Sequence, residues 1–184
     1  MKYLQAYPDT VKAQVQALID RNKLGPMLLE KYAKPHGVRT DRALYGYVMD
    51  LKTEYLRSSE PLSRVAFDAK LHVVAHALGT HTTVSRVQGS KLKSKREIRI
   101  ATFFKEVPEP FLRMIAVHEL AHTRERAHDK AFYKLCEHMQ PDYHQLEFDV
   151  RLYLTHLDAR GAGLWANPGF IGSHAGPLPG SNQV

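Results

Sequence analysis

The residues best suited to chemistry lie within one short run, Met114–Phe132. On a helix, His118 and His122 would lie four residues apart on one face, where both imidazoles can bind a single metal ion. Zinc is the ion typical of such a pair, and it lowers the pKa of a bound water molecule to about 7. Glu119 follows the first histidine and can accept a proton from that water. The run therefore predicts a metal-dependent hydrolase with Glu119 as its general base.

A third protein ligand is needed if one metal position is to stay open for water, and His128 is the nearest candidate. Six residues turn a continuous helix through about 600°, which would place His128 off the face that carries His122. We therefore expect the helix to end after His122. Asp129 can cap a following helix, so that His128 would lie at its entrance with the ring turned back toward the metal.

The spacing of apolar residues predicts a mainly helical body around this motif. Helices are expected from Pro8 to about Leu24, over Met27–Ala33, from Thr40 to about Arg57, from Ser59 to Gly79, from Pro108 to His122, after Asp129 and after Gln140. Two strands are expected over Thr82–Val87 and Glu97–Phe104, paired as a hairpin. The expected fold class is α+β, with a small antiparallel sheet over the helix that carries His118.

One domain is expected over residues 1–160, because a chain of this length and 43% hydrophobic content can form one full core. From Gly161 the composition changes to six glycines and three prolines in 24 residues, which predicts a flexible tail over 161–184. Docking of a short segment around Trp165 onto the body is the alternative.

The single cysteine, Cys136, excludes an internal disulfide framework and is compatible with a reducing cytoplasm. Its neighbours form an apolar helical stripe, so we expect it to be buried. The longest apolar runs are broken by charge before 18 residues, so no membrane partner is expected. A second histidine pair, His72 and His76, has His81 just beyond it but no carboxylate after its first member. We therefore expect that pair to have a packing or surface role.

Several segments resemble the YgjP-like metallopeptidase domain family, and the resemblance spans most of residues 1–157. The matching segments are Val84–Gly89, Glu97–Arg99, Pro110–Met114, Val117–His122, His128 with Phe132, and Pro141–Tyr143. This family is similar to the WLM and SprT groups of zincin-fold proteins, in which a strand borders the cleft above the metal helix. The resemblance implies zinc on His118, His122 and His128, with Glu119 as base. Members are described both as metallopeptidases and as UTP pyrophosphatases.

A net charge of +7 indicates an anionic partner. Six cations of the expected hairpin are candidates to bind substrate if that hairpin borders the cleft: Arg86, Lys91, Lys93, Lys95, Arg96 and Arg99. They would neutralise the phosphates of a nucleotide, and Arg124 and Arg126 flank the expected metal as well. A basic surface also binds nucleic acid without reading its sequence, so a nucleic acid remains a candidate partner.

Three functions fit these observations. The first is a zinc-dependent hydrolase that splits a nucleoside triphosphate, such as UTP, into the monophosphate and pyrophosphate. The second is a zinc endopeptidase that holds an extended peptide at a strand edge and acts on proteins, including ones bound to nucleic acid. The third is a non-catalytic module stabilised by a metal. Glu119 disfavours the third, because a structural site has no use for a base beside an open metal position.

Overall fold

The computed structural model describes residues 1–71, 79–88 and 91–165, with 79–88 and 91–95 described by their backbone. Within those residues the chain forms six α-helices and a three-stranded sheet. In chain order the elements are α1 (Asp9–Asp20), α2 (Leu24–Lys31), α3 (Asp41–Tyr55), β1 (Leu62–Asp68), β2 (Gly79–Gln88), β3 (Lys91–Ala101), α4 (Glu109–Ala121), α5 (Lys130–Met139) and α6 (Tyr143–Arg160). The mainly helical architecture expected from the sequence is confirmed.

Helix starts follow the capping residues that the sequence indicates. The Thr40 hydroxyl accepts a hydrogen bond of 3.2 Å from the Ala43 amide and caps α3. The Asp129 carboxylate accepts from the amides of Ala131 and Phe132, at 2.9 and 3.1 Å, and caps α5. Both caps satisfy amide groups that have no partner within their own helix, which fixes where each helix begins.

The end of α1 and the start of α2 differ from the expectation. The first helix was expected to reach about Leu24, but α1 ends at Asp20 and Asn22 adopts a left-handed conformation with φ of 54°. Leu24 then begins α2, which was expected over Met27–Ala33. Pro26 is accommodated in the first turn of α2, where its missing amide hydrogen is not needed.

The sheet is mixed, so the expectation of an antiparallel sheet is wrong for the sheet as a whole. Its strand order is β1-β3-β2. The β2–β3 pair is antiparallel, as the expected hairpin requires, with Arg86 opposite Lys93. The β1–β3 pair is parallel, with Val65 opposite Ile98. The second strand was expected to reach Phe104, but β3 ends at Ala101 and a short 3-10 helix, Thr102–Glu106, follows it.

The helix expected from Ser59 to Gly79 is wrong where the structure describes it, because β1 occupies Leu62–Asp68. Leu62, Val65 and Ala66 are buried in this strand. A short apolar run fits both a helix and a strand, and here its pairing with β3 decides the outcome. The rest of the expected helix, 72–78, lies outside the described residues.

The helix α4 is buried on nearly all sides. Nine of its residues are buried, including Phe111, Met114 and Val117. A helix that is apolar around its circumference belongs in the middle of a core, and α4 contacts both the sheet and helices α3, α5 and α6. The first residues of the expected metal motif, His118 and Glu119, therefore lie on a well-packed helix. In the part of the chain that the structure describes, no helix is long and apolar enough to cross a membrane.

A buried carboxylate joins α2 to α6. Asp149 is 3% exposed and accepts hydrogen bonds of 2.6 Å from both the Tyr32 hydroxyl and the Lys31 ammonium. Gln145 supplies a further donor at 2.9 Å. Burial of a carboxylate is costly unless such donors surround it, so the three donors together make the contact a favourable one.

The segment after α6 packs onto the body at Trp165. Gly161 ends α6 in a left-handed conformation with φ of 71°, and Trp165 is only 7% exposed. The indole contacts the rings of Phe111 and Tyr153 and donates a hydrogen bond of 2.7 Å to the Tyr32 carbonyl. Within 161–165, Trp165 is therefore docked on the body, while residues 161–163 are exposed. Residues 166–184 lie outside the described part, and the division into one domain and a tail remains a prediction.

We expect Trp165→Ala to lower the free energy of unfolding by about 3–5 kcal/mol, because it removes a large buried ring and its hydrogen bond. Urea denaturation followed by circular dichroism measures this change. Leu29→Ala is the control, since Leu29 is 38% exposed and its loss should matter much less. Equal unfolding midpoints for wild type and Trp165→Ala would show that the segment is not docked in solution.

Candidate functional site

Three histidine side chains converge at the end of α4. The Nε2 atom of His128 lies 3.1 Å from Nε2 of His118 and 3.1 Å from Nε2 of His122. One nitrogen from each ring lies within 4.8 Å of the other two, so the three can hold one metal ion. His118 and His122 are partly buried and His128 is exposed, which leaves the cluster open on one side. The structure thus brings together the three histidines that the sequence singled out.

The main chain leaves the helical path directly after His122, as the spacing required. The last residue of α4 is Ala121, and the Thr123 amide and hydroxyl then both donate to the Leu120 carbonyl, at 3.0 and 2.7 Å. The chain turns back between Thr123 and His128, and α5 begins after Asp129. This change of direction brings His128 to the face that carries His118 and His122, which it could not reach on a continuous helix.

Hydrogen bonds hold the ring nitrogens that face away from the cluster. The Nδ1 atom of His122 lies 3.0 Å from the Glu125 carbonyl oxygen, which can only accept. His122 therefore carries its proton on Nδ1 and leaves the Nε2 lone pair toward the other histidines. The Nδ1 atom of His118 lies 2.6 Å from the Tyr143 hydroxyl.

Phe132 packs against all three histidine rings. Its ring centroid lies 5.0 Å from that of His118, 4.6 Å from that of His122 and 4.7 Å from that of His128. Phe132 is fully buried and lies in the first turn of α5, next to the Asp129 cap. The cap of α5 thus also sets the apolar surface on which the three imidazoles rest.

The histidines fit a tetrahedral metal ion. Ligand nitrogens about 2.0–2.1 Å from a tetrahedral zinc would lie about 3.3 Å from one another. The two Nε2–Nε2 distances of 3.1 Å are close to that separation. Three neutral imidazoles leave a fourth position free, which is the donor set of a catalytic site rather than a structural one.

Glu119 lies beside this cluster and is buried. Its side chain is 1% exposed, and among the described residues its Oε2 atom has no hydrogen-bond partner. Burial raises the pKa of Glu119 to about 8. A cation held by the neighbouring histidines would favour the ionised form again, because opposite charges stabilise each other. An unpartnered carboxylate oxygen in such a place is suited to accept a proton.

Burial also lowers the pKa values of the two histidines at the end of α4, His118 and His122. Burial, more than the neighbouring charges of His122 and His128, lowers the pKa of His118 to about 3. The pKa of His122 is lowered as well, and burial is again the main cause. Metal ligation requires neutral imidazoles, so this environment keeps both rings in the state that binds a metal.

Two of the six candidate substrate-binding cations already have partners. Arg96 forms an ion pair of 2.8 Å with Glu60 and donates a hydrogen bond of 2.8 Å to the Thr123 carbonyl. Arg99 pairs with Asp68 and Glu97, at 3.2 and 3.4 Å. The other four candidates, whose side chains lie outside the described part, are Arg86, Lys91, Lys93 and Lys95. Their role in binding substrate stays a prediction.

The remaining candidates from the sequence are distributed as follows. Arg124 is exposed and donates to the Ser58 hydroxyl at 2.7 Å, and Arg126 is exposed. Cys136 is buried, as expected. His72 and His76 lie outside the described residues, as does the side chain of His81.

Sequence reasoning included Tyr143 and Phe132 in segments that resemble the family, but it missed their contacts with the histidines. It also missed the link from Arg96 to Thr123. Tyr143 could have been suspected, because a metal-binding histidine needs a hydrogen-bond partner for its second ring nitrogen. Nothing in the spacing of Arg96 indicates which carbonyl it contacts.

Comparison with known proteins agrees with this arrangement. The profile of the YgjP-like metallopeptidase domain matches residues 63–150, a range that contains His118, Glu119, His122 and His128. A UTP pyrophosphatase of Escherichia coli (strain K12) is 56% identical over 157 residues, which are 85% of this chain and 94% of that protein. No solved structure matches the chain. The chain therefore belongs to the YgjP-like metallopeptidase domain family of metallohydrolases.

Proposed function

We propose that this protein is a zinc-dependent hydrolase of nucleoside triphosphates, with a zincin-like fold, that converts UTP to UMP and pyrophosphate. The observation that carries the proposal is the group of three histidine nitrogens beside the buried, unpartnered carboxylate of Glu119. His118, His122 and His128 would hold the zinc ion. When bound, the zinc would lower the pKa of a water molecule and stabilise negative charge on the substrate.

Glu119 would accept the proton that the attacking water releases in such a reaction. A water oxygen attacks the α-phosphorus, and Glu119 accepts a proton from that water. The bond between the α-phosphorus and the oxygen that bridges to the β-phosphate breaks. Pyrophosphate leaves with the electron pair of that bond, and UMP keeps the new oxygen. Burial of Glu119 suits this role, because a carboxylate without bulk water around it is a stronger proton acceptor.

The choice of UTP rests on the similar protein from Escherichia coli, whose name is UTP pyrophosphatase. The cations of the β2–β3 pair provide a second line of support. Lys91, Lys93 and Lys95 belong to β3, and Arg86 lies opposite Lys93 in the β2–β3 pair. A triphosphate needs several such charges near the reacting phosphorus.

One assay tests the proposal directly. Zinc-loaded protein is incubated with a panel of nucleoside triphosphates and with an unstructured protein, each with and without chelator. We expect UMP and pyrophosphate from UTP, loss of that activity with chelator, and recovery when zinc is added back. Cleavage of the protein substrate without any nucleotide hydrolysis would contradict the proposal.

We expect Glu119→Gln to keep the bound zinc and to lower kcat by about 100- to 10,000-fold, because the amide preserves the shape but accepts no proton. His122→Ala should instead lose the metal itself. Elemental analysis and steady-state kinetics on the same samples separate the two effects.

Glu54→Gln is the matched control, because Glu54 is exposed on α3. It should leave both zinc content and kcat unchanged. A zinc-loaded Glu119→Gln protein with wild-type kcat would remove Glu119 from the role of general base.

We expect the double substitution Lys93→Gln and Lys95→Gln to raise KM for UTP by about 2- to 30-fold, the effect of two exposed charge contacts. The increase should shrink at high salt, where exposed charges are screened. Zinc content should not change. Lys23→Gln with Lys34→Gln is the control, since both lysines are exposed and belong to other parts of the chain.

Arg96 is left out of that double substitution because Glu60 and the Thr123 carbonyl already bind its guanidinium. Substitution of Arg96 would remove its contact with the chain that follows His122. A change in KM could then come from either a disturbed metal site or weaker UTP binding. If the lysine pair alone leaves KM for UTP unchanged but abolishes binding to DNA, the cations serve a nucleic acid and not the nucleotide.

A zinc endopeptidase is the second candidate function. In the described sheet β2 is an edge strand, and α4, which carries the histidines, contacts it. An edge strand can pair with the main chain of an extended peptide. The family profile, named for a metallopeptidase domain, also supports this reading. The assay with the unstructured protein distinguishes it from the nucleotide hydrolase. A cytoplasmic location, suggested by the single cysteine, stays a prediction.

A further inference from the structure

Tyr143 contacts the metal centre from a distant part of the chain. It is the first residue of α6, is fully buried, and its hydroxyl lies 2.6 Å from Nδ1 of His118. The two rings are nearly parallel, with an angle of 19° between their planes. The corresponding contact of His122 comes from the Glu125 carbonyl, only three residues further along. Of these two ligands, His118 is thus the one whose orientation depends on long-range packing.

The direction of the His118–Tyr143 hydrogen bond follows from the position of the other ring nitrogen. The Nε2 atom of His118 faces the cluster, 3.1 Å from Nε2 of His128. A nitrogen that binds a metal through its lone pair carries no proton, so the proton of a neutral His118 belongs on Nδ1. The Tyr143 oxygen must then accept a hydrogen bond from this N–H group.

We propose that Tyr143 is a positioning residue of the metal centre: its hydroxyl accepts a hydrogen bond from Nδ1 of His118 and so fixes the tautomer and ring orientation in which Nε2 of His118 would bind the metal. This inference rests on the proposed metal site. It assigns to α6 a part in metal binding, although α6 supplies no ligand. Groups that orient a metal-binding histidine commonly change metal affinity by about 10- to 100-fold.

The first measurement needs no substitution and no metal. The ¹⁵N chemical shifts of the His118 side chain in the metal-free protein at neutral pH report which ring nitrogen carries the proton. We expect a protonated Nδ1 and an unprotonated Nε2. A protonated Nε2 would overturn the proposal.

The second measurement is zinc affinity by competition with a chelator. We expect Tyr143→Phe to weaken zinc binding by about 10- to 100-fold, because the ring is kept and only the hydroxyl is lost. Tyr32→Phe is the matched control, since it also removes a hydroxyl hydrogen bond of 2.6 Å, to Asp149, but does not contact the histidines. Tyr32→Phe should bind zinc like wild type. Equal affinities for wild type and Tyr143→Phe would overturn the proposal while leaving the proposed function intact. A wild-type protein that binds no zinc would instead refute the proposed function, and the ¹⁵N shifts would still test the hydrogen bond.

Discussion

The site depends on one change of direction in the main chain, directly after His122. Helix α4 brings two imidazoles to one face, but the third histidine would be lost if the helix continued. The carbonyl groups at a helix end need partners, and here the Thr123 hydroxyl bonds to the Leu120 carbonyl while Arg96 bonds to the Thr123 carbonyl. The strand β3 therefore helps to hold the turn that the metal centre requires.

Burial of α4 explains the chemistry of its side chains as well as its stability. A helix surrounded by the sheet and three other helices gives Glu119 and His118 little contact with water. Loss of water raises the pKa of the carboxyl group and lowers the pKa of the imidazole, so both groups favour their neutral forms. A bound cation would need the neutral imidazole and would favour the ionised carboxylate. The same packing that stabilises the fold therefore prepares the site for a divalent ion.

The histidines and their local geometry could be predicted from sequence because the information is local. The spacing of His118 and His122, the need for a helix end, and the Asp129 cap all depend on a few neighbouring residues. The strand β1 could not be predicted in this way, because its state is decided by pairing with β3 about thirty residues later. For the same reason the partners of Arg96 and of Tyr143 were missed, since helical or strand periodicity does not show which distant atoms meet.

The burial of Cys136 has a practical consequence. Its thiol is fully buried, and burial raises its pKa to about 12, so it resists oxidants and alkylating reagents while the core is closed. Because it is the single cysteine, its rate of reaction with a thiol reagent measures how often the core around α5 opens. The modification rate of Cys136 thus reports local opening of the core next to the histidines. A slower rate with metal than without it would show that the bound metal stabilises this part of the core.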